Sequence, residues 1–344
     1  MADVRHMYVG TESGLIVLAE DDETWRQERT SLDGKPIGPL IAPGNGRTLY
    51  AAVPYEGVYA SSDGGRTWDR SFEGDVRSLE ADPAGGTLYA GTEPIHLFRT
   101  DDGGDHWSEV EGLQRMPDDV KEQWWFPVYP HDGHVLSIHV DESDDRVIYL
   151  GLEHGGIVRT DDRGATWVDL SDGIEYLDIH MVASDPRQQN LVYAATARAF
   201  YRSEDYGRDW VLSENGLTRD YMHDFLVRPG PQTSLFMTTG NGTPPAWLRP
   251  TKAEAAIFRS DDGGQNWRQL GGGLPASAER MVWALVGDPG DPSRLYAGMG
   301  DYVPHMVDKE AGAGDVWTTV DLGDTWTKVY EAPAPVRTLC VTVS

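Results

Sequence analysis

The residues best able to do chemistry in this chain are histidines that stand close to carboxylates. His154 follows Glu153, His180 lies two positions after Asp178, and His223 precedes Asp224; His134 opens an alternating run. An imidazole titrates near neutral pH, so a His beside a carboxylate suits general acid–base work. Three or four neutral imidazoles with a carboxylate would alternatively hold a divalent metal ion (zinc, manganese, calcium or magnesium), leaving a position open for water or substrate. The expected catalytic set is therefore His180, His223, Glu153 and Asp224, and the expected metal set is His134, His154, His180 and His223. Arg77 and Arg337 are expected to bind substrate, with Trp124, Trp125, Tyr129, Tyr176, Tyr221, Trp247, Trp283 and Tyr302 walling the cavity. A concave apolar site with a few convergent polar groups is the ordinary form of a small-molecule site.

These residues have to be positioned by a repeated element. The pattern Ser/Thr-x-Asp-x-Gly-x-x-Trp fits Ser61–Trp68, Thr100–Trp107, Thr160–Trp167, Ser203–Trp210, Ser260–Trp267 and Thr319–Trp326. A seventh, worn copy is expected at Leu18, Glu20, Asp22, Thr24 and Trp25. Each alternating run before the pattern, such as Ile157-Val158-Arg159-Thr160, reads as a strand. Asp-x-Gly then supplies turn chemistry, because the Asp side chain accepts backbone N–H bonds and Gly takes the left-handed conformation. Two further strands precede each turn, as in Val76–Leu79 and Thr87–Thr92. Four strands per unit and radial repetition predict an all-β, seven-bladed β-propeller. The chain opens at a second strand, Met7–Thr11, and ends on an orphan first strand, Val336–Val341. The C-terminal strand is therefore expected to complete the first blade and close the ring, with residues 1–344 as one domain.

The repeated turn resembles the Asp-box (BNR) repeat of sialidases, two-propeller xyloglucanases, sortilin-type receptors and photosystem II assembly factors. The resemblance covers nearly the whole chain and implies a propeller whose boxes are peripheral and structural. It implies no single function, since those families share a fold only. Sialidases also carry a Phe-Arg-Ile-Pro stretch, and here Phe98-Arg99 and Phe258-Arg259 are followed by Thr100 and Ser260. Xyloglucanases cut glycans between two propellers, and one ring is expected here. The photosystem II factors bind protein and carry an export signal. What remains resembles the broad group of single-propeller Asp-box proteins described as glycosyl hydrolase-like.

A formal net charge of −27 argues against nucleic acid and anionic membranes as partners, since both require clustered Lys and Arg. The single cysteine, Cys340, excludes an internal disulfide framework and reads as a core thiol. The start, Met-Ala-Asp-Val-Arg-His, lacks a basic-then-apolar leader, and no apolar run approaches ~18 residues, so a cytoplasmic location is expected.

Aligning the first strands on their Asp-Pro ends puts Arg77, Leu136, His180, His223, Trp283 and Arg337 at one equivalent position. Long insertions at 111–134, 239–256 and 299–315 are expected on the face opposite the repeated turns, where long loops in compact domains are usually functional. The expected activity is a hydrolase or lyase acting on a small polar, anionic or sugar-like molecule at that end of the central channel. The alternative is a non-catalytic scaffold gripping a protein or glycan with the same face.

Overall fold

The computed structural model describes residues 4–44, 46–127, 132–230, 232–249, 252–302 and 312–343. They form seven four-stranded antiparallel sheets arranged as a β-propeller. Six blades use consecutive strands. The first is ordered Val336–Val343, Arg5–Thr11, Gly14–Asp21, Thr24–Ser31, so the C-terminal strand pairs with the N-terminal one and closes the ring as expected. Among the described residues no helix is long and apolar enough to cross a membrane.

Contacts divide the chain into two compact units, Met1–Ala42 with Glu214–Ser344, and Pro43–Ser213. The first unit holds blades six, seven and one; the second holds blades three, four and five and the last three strands of blade two. Within each unit the first strands of successive blades pack side by side. In the second unit these are Asp75–Ala81, His134–Val140 and Ile179–Asp185; in the first, Tyr221–Arg228, Met281–Gly287 and Val336–Val343.

The second strands carry the core. Tyr89, Tyr149, Tyr193 and Tyr296, at the same offset in four blades, are fully buried. Burying a ring of this size stabilises the fold by roughly 1.5–3 kcal/mol. The repeated turns explain their own sequence. Thr160 Oγ1 donates to Asp162 Oδ1 (2.7 Å) and accepts from the Gly164 N–H (2.9 Å), while Asp162 accepts from the Thr166 N–H (2.8 Å) and hydroxyl (2.7 Å). The Thr166 side chain and backbone bonds, with that from Thr160, hold the Asp162 carboxyl below its usual range. Gly164 sits at φ 90°, where a Cβ would also lie 2.3 Å from Val110. The Trp167 indole donates to Gly164 O at 3.1 Å and closes the turn. Thr160→Val should therefore lower stability by about 1–3 kcal/mol, because it strands the buried Gly164 N–H; the denaturation midpoint reads it.

The worn copy in the first blade is a correction. Asp22 and Glu23 lie at φ 47° and 61° in a two-residue hairpin turn between Asp21 and Thr24, a geometry that needs no Asp-x-Gly. Glu20 instead pairs with Arg294 (2.7 Å) and Arg5 (3.3 Å). Arg5 Nε also donates to Asp288 Oδ2 (2.8 Å), which accepts the Tyr296 hydroxyl (2.8 Å). Asp288 Oδ1 accepts the Gly290 N–H (2.8 Å), and the residue is 1% exposed. This buried network ties blade seven to blade one.

Candidate functional site

The six residues aligned from sequence share a backbone feature. Arg77 lies between the paired residues Val76 and Ser78 and has no partner of its own across the ladder. Leu136, His180, His223, Trp283 and Arg337 occupy the same place in their blades, each the extra residue of a β-bulge. A bulge leaves one residue outside the ladder and re-aims its side chain, which is why bulges gather at rims and sites.

In the second unit, bulge residues and strand ends build a chain of ionisable groups. Arg77 Nη2 donates to Asp75 (2.8 Å) and to Glu93, and its guanidinium lies 5.4 Å from the centre of the Tyr55 ring. Glu93 Oε2 is 3.2 Å from His134 Nδ1, and His134 Nε2 is 3.5 Å from Glu153 Oε2. Asp178 faces two imidazoles, His154 Nε2 at 3.6 Å and His180 Nε2 at 3.5 Å. Phe126 packs against His134 (5.1 Å) and edge-on to His154 (5.0 Å). His154 holds a left-handed backbone, φ 55°, as does Tyr55 at the corresponding turn of blade two, φ 65°.

The electrostatics separate these groups. Burial above all, with the negative charges of Asp178 and Glu93 and against the pull of Arg77, pushes the Glu153 carboxyl up to about 8. Burial and the Arg77 charge lower His134 to about 4, so this imidazole is neutral at working pH. Burial raises Glu93 while Arg77 opposes it. The result is one protonated carboxyl beside a neutral imidazole, an arrangement able to give a proton at neutral pH.

In the first unit the bulge residues meet as a stack. Arg337 lies 4.6 Å over the Trp283 ring, and His223 meets Trp283 edge-on at 4.9 Å. Trp247 packs against Tyr221 (5.1 Å), Trp283 (5.6 Å) and Tyr302 (6.2 Å). The indoles are anchored, Trp283 to Gly300 O (2.9 Å) and Trp247 to Asn241 O (2.7 Å).

The sequence candidates thus fall into two groups. Glu153, His134, His154, His180 and Arg77 come together in the second unit; His223, Tyr221, Trp247, Trp283, Tyr302 and Arg337 come together in the first. Asp224 stands apart from its neighbour His223: its carboxyl accepts the Leu285 and Phe225 N–H groups, and burial pushes it up to about 7. Trp124 is half-buried against the core beside Leu113 and Val135, which pins its loop. Trp125 (55% exposed) and Tyr176 (47%) face solvent, and Arg198 lies over Tyr176 at 5.4 Å. Tyr129 lies outside the described residues. Among the described residues no three or more His, Cys, Asp or Glu side chains are placed to hold a metal ion.

Glu93 and Glu12 were not singled out from sequence, yet a signal was present. Tyr8–Glu12, Tyr89–Glu93 and Tyr149–Glu153 each put a Glu four residues after the second-strand Tyr. All three carboxylates meet the first strand of their own blade: Glu12 with Arg337, Glu93 with Arg77, Glu153 with His134.

No family model matches the chain. It is 25% identical over 221 residues to the oligoxyloglucan-reducing end-specific xyloglucanase of Emericella nidulans, covering 58% of this chain and 24% of that protein. It is also 25% identical over 214 residues to xyloglucanase Xgh74A of Acetivibrio thermocellus, covering 59% of this chain and 18% of that one. The chain thus spans a quarter or less of these curated relatives. Among solved structures, the Niastella koreensis GH74 enzyme superposes with a TM-score of 0.64 at 15% identity, over 93% of this chain and 46% of that one. YCF48 from Cyanidioschyzon merolae gives 0.58 at 13% identity, over 86% and 89%. The chain is a seven-bladed β-propeller similar to those of GH74 xyloglucanases.

Proposed function

We propose that this protein is a glycoside hydrolase, with the Glu153 cluster as its acid–base centre. The observation that carries the reading is the placement of Glu153. It is a protonated carboxyl 3.5 Å from the neutral His134, and Asp178 is among the groups that raise it. Glycosidases ordinarily need two carboxyl groups with opposite protonation, one to protonate the departing oxygen and one to serve water or the sugar carbon. Glu153 would give its proton to the glycosidic oxygen as the C–O bond breaks. Water would add to the anomeric carbon and release a proton to Asp178. His134, which stands between Glu93 and Glu153, orients Glu153, and the exposed rings of Tyr55 and Trp125 offer faces for sugars. Similarity to xyloglucanases supports a glycan substrate.

The test is reducing-end release by the purified full chain from xyloglucan oligosaccharides, β-glucans and uronate-bearing glycans. Turnover of any of these, lost in Glu153→Gln, supports the reading. No turnover of the whole panel sinks it in favour of a non-catalytic glycan-binding ring.

A further inference from the structure

Two arginines of this chain are built alike and finished differently. Arg77 and Arg337 are both bulge residues of a first strand. Both pair with the Glu four positions after a second-strand Tyr, Glu93 and Glu12. Each also lies over an aromatic ring of the preceding blade, Tyr55 and Trp283. Two residues before Arg77 stands Asp75, which takes a second bond from the same Nη2 that holds Glu93. Two residues before Arg337 stands Pro335, which has no side-chain acceptor to offer.

The consequence is an open fork. Arg337 is held at Nε by Glu12 and flat by Trp283, and among the described residues its Nη groups make no hydrogen bond. Other arginines this buried do not behave so. Arg29, Arg77, Arg159, Arg202, Arg259 and Arg294 all have side chains less than a fifth exposed, and each puts an Nη on a carboxylate. Arg337, at 16%, is equally enclosed, and among the described residues neither of its Nη groups meets a carboxylate. A guanidinium already fixed in plane and position loses little freedom on binding, and its fork matches the two oxygens of a carboxylate.

We propose that Arg337 is a recognition site for the carboxylate of an acidic sugar, with Trp283 and Tyr302 as the adjoining apolar faces. The chemistry is a bidentate N–H···O pair to a uronate beside a ring that packs against the sugar. Glu12 balances the arginine charge, so selectivity comes from the fork and not from a positive field. The proposal rests on the glycan reading above and does not require hydrolysis.

Isothermal titration of the full chain with glucuronate against glucose, and trigalacturonate against cellotriose, tests it. The acidic member of each pair should bind more tightly by about 10-fold or more. Arg337→Lys keeps the charge, loses the fork, and should erase the preference. Pro335→Asp should erase it too, by supplying the carboxylate that Asp75 supplies in blade three. Glu153→Gln should lose turnover and keep the preference, so the two readings fail separately. Equal affinity for acidic and neutral sugars, or a preference that survives both Arg337→Lys and Pro335→Asp in folded protein, overturns the proposal. Acetate or inorganic phosphate binding as tightly as glucuronate would reduce the site to one for simple anions and overturn the sugar assignment.

Discussion

Glu153→Gln is expected to lower turnover of a glycan substrate by about 10²–10⁴-fold with the fold intact, the range ordinarily lost with a general acid. The amide keeps the shape of the side chain and cannot give the proton. The pH profile carries the sharper signature. Burial and the Asp178 charge raise the Glu153 carboxyl from its ordinary 4.5 to about 8, so the acid form persists through neutrality. Activity should hold through pH 7 and fall as pH rises through 8. The sign for stability agrees. A carboxyl whose pKa is raised on folding contributes stability that is full below the unfolded value and is lost as pH climbs through the folded value. Wild-type protein should therefore lose stability between about pH 4.5 and 8, and Glu153→Gln should flatten that slope. An unchanged alkaline limb in a still-active Glu153→Gln variant would remove this residue from the mechanism.

Asp288→Ala should be the most damaging single change to the fold. The carboxylate is 1% exposed and accepts from Arg5, Tyr296 and the Gly290 backbone. Removing it leaves the Arg5 Nε and the Tyr296 hydroxyl without this acceptor, and breaking a buried pair in this way costs about 3–5 kcal/mol. The loss should appear as a lower midpoint in urea. Asp288→Asn should cost less, because its side-chain oxygen still accepts one of the three bonds. Equal stability of wild type and Asp288→Ala would mean that Glu20 alone holds Arg5 and Arg294 across this seam.

The blades were legible because each turn announces itself. Asp162 and Gly164 are needed for a specific hydrogen-bond set, and chemistry of that kind survives as a motif. The closing strand was legible because Val336–Val341 reads as a first strand and Met7–Thr11 as a second, and the two do pair. The first blade misled because Glu20, Asp22 and Trp25 keep the spacing of the motif while Asp22 and Glu23 make a plain hairpin turn. The site was half legible. Histidines attract attention, and His134, His154 and His180 do come together. Glu93 escaped because a glutamate at a strand end looks like a solvated charge, although its offset from Tyr89 matches that of Glu153 from Tyr149. The bulges were not legible at all. Alternation along one strand shows which face a residue takes, and an extra residue becomes visible only when the partner strand is paired with it.

Those bulges decide what this fold can become. A residue inside a ladder is constrained by the neighbour across from it and by the core behind it. Arg77, Leu136, His180, His223, Trp283 and Arg337 have no such cross-strand neighbour. Their side chains range from aliphatic to cationic to indole on an otherwise repeating frame. These six positions lie outside the strand pairing, so a change of side chain there alters no cross-strand pair of the ladder.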